Sequence, residues 1–313
     1  MRRLFLILGF AGLAGLALFT ARIEALPETI QQIAPGVWFR EGDLKQYGHC
    51  NNIIIEMKDY LIVVDANFPS GAKAALADAR KVSSKPVKFV FDTHHHGDHA
   101  YGNPVWTEMG AITLAHQGVA EEMKRYEPKR WQEAAKQRKD VGDLKLATAE
   151  PPKQTFDKSP FVLSDDTRRV EFHFFGWAHT RGDGFVYLPK EQILCTGDAV
   201  VNGPYNYTGD ANLANWPNVV RKARALKVSK VLLGHGVPGD AQVLAGQEAY
   251  MTELYKAVKA EIGKGRKVEE IQASLQLPDR VKHWVGDFQK NQIKDAYEEI
   301  TQKKPHGEIM GGK

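Results

Sequence analysis

His94, His96, Asp98 and His99 place four metal-binding side chain types within six residues. Imidazole nitrogen and carboxylate oxygen are the borderline-to-hard donors that zinc accepts. By composition alone this H-x-H-x-D-H spacing occurs in roughly one chain of this size in a thousand. Alternate residues of an extended or turning backbone share a side, so His94 and His96 can hold one cation. Gly97 then turns the chain and sends Asp98 and His99 towards a neighbouring position. One loop cannot enclose two cations, so a pair requires distant donors at strand ends. His179 follows an apolar strand in Gly176-Trp177-Ala178-His179-Thr180, and Asp198 ends Leu194-Cys195-Thr196-Gly197-Asp198. His235 stands between Gly234 and Gly236, where the backbone can come close. Three residues are candidates for facing a substrate: His49 in a glycine-containing loop, and Tyr205 and Tyr207, which could donate to a developing oxyanion. His173 alternates with apolar residues and reads as structural.

Short apolar strands must carry these loops. Val87–Phe91 runs directly into the histidine cluster, and Tyr60–Val64 ends at Asp65. Val37–Phe39 and Ile53–Ile55 precede them, with Lys58-Asp59 as a tight hairpin turn. A helix is expected over Ser70–Val82, a strand over Ala111–Ala115 and one charged helical stretch over Gln117–Lys139. Val141–Pro160, polar and proline-bearing, reads as a loop or lid. A second β block follows at Arg169–Phe175, Phe185–Leu188 and Gln192–Cys195, then a helix over Trp216–Leu226, a strand over Val231–Leu233 and a long helix over Gln242–Gly263. Two β blocks, each flanked by helices, imply two sheets face to face with helices outside.

Taken together, the H-x-H-x-D-H loop and the later His179, Asp198 and His235 resemble the metallo-beta-lactamase superfamily, over most of the chain from Val37 to His235 and slightly beyond. The resemblance implies an α/β fold, a four-layer αβ/βα sandwich with a two-metal site on one edge. The family-like domain is expected over 26–264, and the charged remainder over 265–313 reads as a helical C-terminal extension with a flexible glycine-rich tail. Carried over residue by residue, His94, His96 and His179 would hold one cation and Asp98, His99 and His235 the second, with Asp198 bridging. Asp65 would support a ligating group from behind. His95 falls on a variable position of the motif and stays outside the site. The cofactor implied is a zinc pair, with iron or manganese as alternatives. Two such cations acidify a shared water, and Asp98 would hold the resulting hydroxide and take up its proton.

The resemblance also bears on substrate. Class B β-lactamases generally carry cysteine or serine where this chain has Asp198, whereas lactonase, glyoxalase II-like and phosphodiesterase branches carry aspartate. Glyoxalase II itself is disfavoured by the long spacing from His99 to His179 and by the lack of a basic glutathione-binding set near the C-terminus. The expectation is hydrolysis of an ester-, thioester-, lactone- or lactam-like bond in a small molecule. The alternatives are a mononuclear iron enzyme oxidising a persulfide and a non-catalytic periplasmic metal-binding protein.

The chain has 313 residues, 43% hydrophobic and 26% charged, which excludes disordered, collagen-like and multi-span membrane classes. Its net charge of +4 comes without a basic run, so no nucleic-acid partner is expected. Met1-Arg2-Arg3 and the apolar run Leu4–Phe19 form a secretory signal over 1–25, ending at Ala25 or, as second candidate, Ala21. The expected location is therefore the periplasm or the exterior, with membrane attachment only through an uncleaved signal. Cys50 and Cys195 read as two buried free thiols, and the oligomeric state has no signature.

Overall fold

Ile53 and Ile55 point into one core and Ile54 into another; likewise Ile62 and Val64 face one way, Leu61 and Val63 the other. Apolar residues on both faces of a strand are what a sheet covered on both sides requires. The computed structural model describes residues 28–310. The signal-like segment 1–25 and the final residues 311–313 therefore lie outside the described residues.

The first sheet runs in chain order: β1 (Ile30–Ala34), β2 (Val37–Arg40), β3 (Asn52–Glu56), β4 (Leu61–Val64), β5 (Val87–Asp92), β6 (Ile112–His116) and β7 (Gln154–Phe156). Its first four strands pair antiparallel, and β4 through β7 pair parallel. The second sheet contains β8 (Phe161–Ser164), β9 (Arg169–Phe174), β10 (Gly184–Leu188), β11 (Ile193–Cys195) and β12 (Lys230–Leu232), in the spatial order β12-β11-β10-β9-β8. Here β11 and β12 are parallel and the other pairs antiparallel.

Phe39, Ile55, Val64, Phe91 and Leu114 of the first sheet share a core with Phe172, Val186, Leu188 and Leu232 of the second, so the sheets pack face to face. The helix Pro69–Val82 covers the outer face of the first sheet with Ala72, Ala75 and Ala79. Helices Trp216–Arg224 and Ala241–Gly263 cover the second with Trp216, Val219, Leu244, Tyr250 and Leu254. The result is the expected four layers.

The C-terminal region is helical, with Val268–Ser274, a 3-10 turn at Asp279–Trp284, Gln289–Gln302 and His306–Met310. Ile271, Val281, Trp284, Ile293 and Ala296 join the core beneath the second sheet. Its polar groups also reach the loop 202–215. Glu299 accepts the backbone N–H groups of Leu213, Ala214 and His306 at 2.9, 2.7 and 3.0 Å. Asp295 accepts from Thr208 Oγ1 at 2.5 Å, and Gln292 donates to Asn206 O at 2.6 Å.

Some expectations need correction. The charged stretch after β6 is three helices, Gln117–Tyr126, Lys129–Gln137 and Lys139–Gly142. Pro128, which has no N–H to continue a helix, stands at the first break. The polar segment read as a loop contains β7, a three-residue edge strand pairing with β6. Strands β1 and β8 were not anticipated. The Lys58-Asp59 hairpin does form, closed by Met57 N–H to Tyr60 O at 2.8 Å. Both cysteines are free and buried.

Candidate metal centre

Every donor anticipated from the sequence follows the C-terminal end of a strand. Asp65 follows β4, the His94–His99 loop follows β5, and His179, Asp198 and His235 follow β9, β11 and β12. Strands β4 and β5 are parallel, as are β11 and β12, and β9 runs with β11 because both are antiparallel to β10. All five loops therefore emerge at one edge of the sandwich. There the ligand atoms of His94, His96 and His179 lie within 4.8 Å of one another, as do those of Asp98, His99 and His235.

In the first set, His96 Nδ1 lies 3.1 Å from His94 Nε2 and 3.0 Å from His179 Nε2. The outward nitrogens fix the protons. His96 Nε2 donates to Asp210 Oδ2 at 2.8 Å, and His179 Nδ1 to Tyr207 O at 2.9 Å. Thr93 Oγ1 spends its proton on Asp65 Oδ1 at 2.7 Å, so at 3.0 Å it accepts from His94 Nδ1. Burial holds the His94 pKa well below its ordinary value and that of His179 down at about 3, so these rings are neutral. The unprotonated Nε2 atoms of His94 and His179 thus converge on His96 Nδ1, so three ring nitrogens face a common point. A cation there would take all three as ligands.

The second set is acidic. His235 Nε2 lies 3.0 Å from Asp98 Oδ2 and 3.3 Å from Asp198 Oδ2. His99 Nε2 is 3.4 and 3.5 Å from the same two oxygens and, like Asp198 Oδ1, is buried without a hydrogen-bond partner. Burial opposes charge on both carboxyls, but His99 and His235 outweigh it and keep Asp98 and Asp198 ionised. Asp198 Oδ2 also lies 3.9 Å from His179 Nε2, which puts this carboxylate between the two sets. Close approach depends on Gly234: a Cβ there would lie 2.2 Å from Asp198 Oδ1. Asn51 holds the same loop by donating from Nδ2 to the carbonyls of Leu233 and Gly236.

Asp65 sits behind His99, with Oδ2 2.9 Å from Nδ1, and accepts the Thr93 backbone N–H at 2.9 Å. Tyr205 and Tyr207 line a cavity of about 420 Å³ whose floor includes His96, Asp98, Asp198 and His235. His49 is not on that lining. It is buried against Ser70 Oγ at 2.8 Å and stacks on Tyr47, so its place is structural. His173 pairs with Glu171 at 2.9 Å on β9.

Sequence reasoning missed Asp210 and Arg130. Asp210 is fully buried beside His96, and Arg130 grips it with two nitrogens at 2.7 and 2.8 Å. His95, set aside on the sequence, joins them: burial lowers its pKa to about 4, and its Nε2 accepts from Arg130 at 3.2 Å. No spacing marks Asp210, which lies in an irregular loop, and Arg130 looks like one more charge on a solvated helix.

The fit to divalent cations is therefore good on this chain's own atoms: three imidazoles aimed at a common point, a second set of imidazoles and carboxylates, and a carboxylate between them. Comparison with known proteins agrees. The family model described as the metallo-beta-lactamase superfamily matches residues 47–235. The chain is 26% identical over 191 residues to the 2,4-dinitroanisole O-demethylase subunit alpha of Nocardioides sp. (strain JS1661), a match covering 60% of this chain and 53% of that protein. Its fold is similar to the metallo-beta-lactamase from Pontibacter korlensis, with TM-score 0.58 and 20% identity over 72% of this chain and 98% of that one. It is also similar to a stereoselective inverting sec-alkylsulfatase from Pseudomonas sp., with TM-score 0.68 and 18% identity over 86% of this chain and 49% of that one. The chain thus spans only about half the length of the demethylase and of the sulfatase.

Proposed function

The chain belongs to the metallo-beta-lactamase superfamily, and on that premise we propose that it is an exported, zinc-dependent hydrolase of an ester, thioester, lactone or lactam-like bond in a small molecule. The observation that carries this is the set of three imidazole nitrogens converging beside an imidazole–carboxylate set, with His96, Asp98, Asp198 and His235 open to a cavity. His94, His96 and His179 would hold one ion, Asp98, His99 and His235 the other, and Asp198 both. When bound, the ions supply Lewis-acid activation of water and of the scissile oxygen at neutral pH.

The rest falls to the protein. Asp98 is ionised and on the cavity lining, so its carboxylate can orient the attacking water and receive its proton. Tyr207 keeps its phenol proton at neutral pH, because partial desolvation and the nearby Asp210 both raise its pKa, and it can donate to an oxygen gaining charge. Asp65 and Asp210 hold His99 and His96 from behind.

A panel of chromogenic lactam, lactone, ester and thioester substrates tests the proposal, with metal content measured on the same sample. The expected result is turnover of at least one of them by protein carrying close to two zinc ions, lost in His96→Ala. Iron near one equivalent without hydrolysis would favour the persulfide-oxidising reading, and metal without turnover of any substrate would favour a binding protein.

A further inference from the structure

Among the described residues, three of the seven exposed large apolar side chains, Leu44, Tyr207 and Phe288, ring the mouth of the cavity over the metal centre, at 38, 42 and 40% exposure. Tyr101 and Tyr205 continue this apolar surface down the walls towards Asp98 and His235. Exposed apolar area grouped at one mouth, rather than scattered, marks a binding surface. The lining contains no lysine, and its only carboxylates are Asp98 and Asp198. Its one guanidinium, Arg130, already has its charge matched by the two-pronged pair with Asp210. A charged substrate tail would find no free counter-charge there.

Two of these three rim residues lie outside the family match at 47–235, since Leu44 precedes it and Phe288 follows it. Both are held in place. Trp284 Nε1 donates to Val201 O at 2.9 Å, and His283 Nε2 lies 2.7 Å from Asn202 Oδ1. Gly286 lies flush on the loop below, where a Cβ would come 2.5 Å from Pro204 Cβ. These contacts seat Phe288 over the cavity. The Leu44–Tyr47 turn is capped by Asp43, which accepts from Gln46 N at 2.9 Å, and is tied down by Arg138 to Tyr47 O at 2.7 Å.

The geometry points to a substrate that carries an uncharged hydrocarbon group beside its scissile bond, held between Leu44, Phe288, Tyr205 and Tyr207. This rests on the metal-centre reading above and adds the substrate class to it. The size of the cavity, about 420 Å³, suits a small molecule with an acyl or aryl group of several carbons rather than a polymer.

The test is calorimetric binding of straight-chain hydroxamates to the zinc-loaded full chain, from acetohydroxamate to octanohydroxamate, with the monohydroxamate of adipic acid as the charged-tail probe. Affinity should rise up to about fourfold per buried methylene until the cavity is filled. The charged tail should bind more weakly than hexanohydroxamate. Phe288→Ala and Leu44→Ala should each flatten the series, Phe288→Leu should restore most of it, and Met109→Ala, exposed elsewhere, should leave it unchanged. Equal affinity along the series, preference for the charged tail, or an unaltered series in both alanine variants would overturn the inference. Turnover of p-nitrophenyl esters, run in parallel, separates the two readings. Hydrolysis without chain-length dependence in either assay sinks the hydrocarbon subsite alone. A binding series without turnover on any ester, lactone, thioester or lactam supports the subsite and counts against the hydrolase.

Discussion

At His96 the two ring nitrogens have separate tasks, and Asp210 enforces the division. By accepting from Nε2 at 2.8 Å, Asp210 fixes the ring so that Nδ1 is aimed at His94 and His179. Asp210→Asn removes the charge while keeping the shape. The expected result is a loss of metal affinity of about 10–100-fold, measured by chelator competition. His235 has the opposite starting point. Burial disfavours its charge, but Asp198 and Asp98 outweigh that and raise its pKa from 6.5 to about 9. Being raised, this group stabilises the metal-free fold fully below 6.5, and that stability is lost as pH rises through about 9. Thermal melts of the metal-free protein should therefore fall across that interval. A cation displacing this proton should gain about tenfold in affinity per pH unit over the same range. His179, already unprotonated above about 3, adds no such slope. The ligand candidates were legible because four donors crowd into six residues, and His179, Asp198 and His235 follow that loop in order at strand ends. Asp210 was not, because its meaning comes from a contact with a residue 114 positions away.

At the scale of elements, the C-terminal helices act on the centre through the loop 202–215. Glu299 satisfies three backbone donors, two of them at the start of the turn entering Trp216. Glu299→Ala should cost on the order of 2–3 kcal/mol in urea unfolding, since buried N–H groups lose their acceptor. It should also weaken metal binding, because Tyr207 O and Asp210 sit on the same loop. Strand and helix positions with a strong period were read well: β3, β4, β5 and the helix Pro69–Val82 came out within one or two residues. The misses have physical causes. Strands β1, β7 and β8 all lie at sheet edges, so pairing with one neighbour rather than an internal apolar period makes them strands.

At the scale of the molecule, the sandwich gathers five loops from two sheets onto one edge, which is how residues from 94 to 235 come to share a centre. Two β blocks flanked by helices already implied the layers. How the C-terminal extension joins the second sheet's core was not readable, because its charged sequence hides the apolar stripe of Ile271, Val281, Trp284, Ile293 and Ala296. The measurement that bears most directly on the whole account is anomalous diffraction at the zinc edge from crystals of the protein loaded with zinc. Two peaks per chain are predicted, one among His94, His96 and His179 and one among Asp98, His99 and His235, with Asp198 reaching both. No peak at this edge of the sandwich, or zinc held only by residues outside these seven, would contradict it.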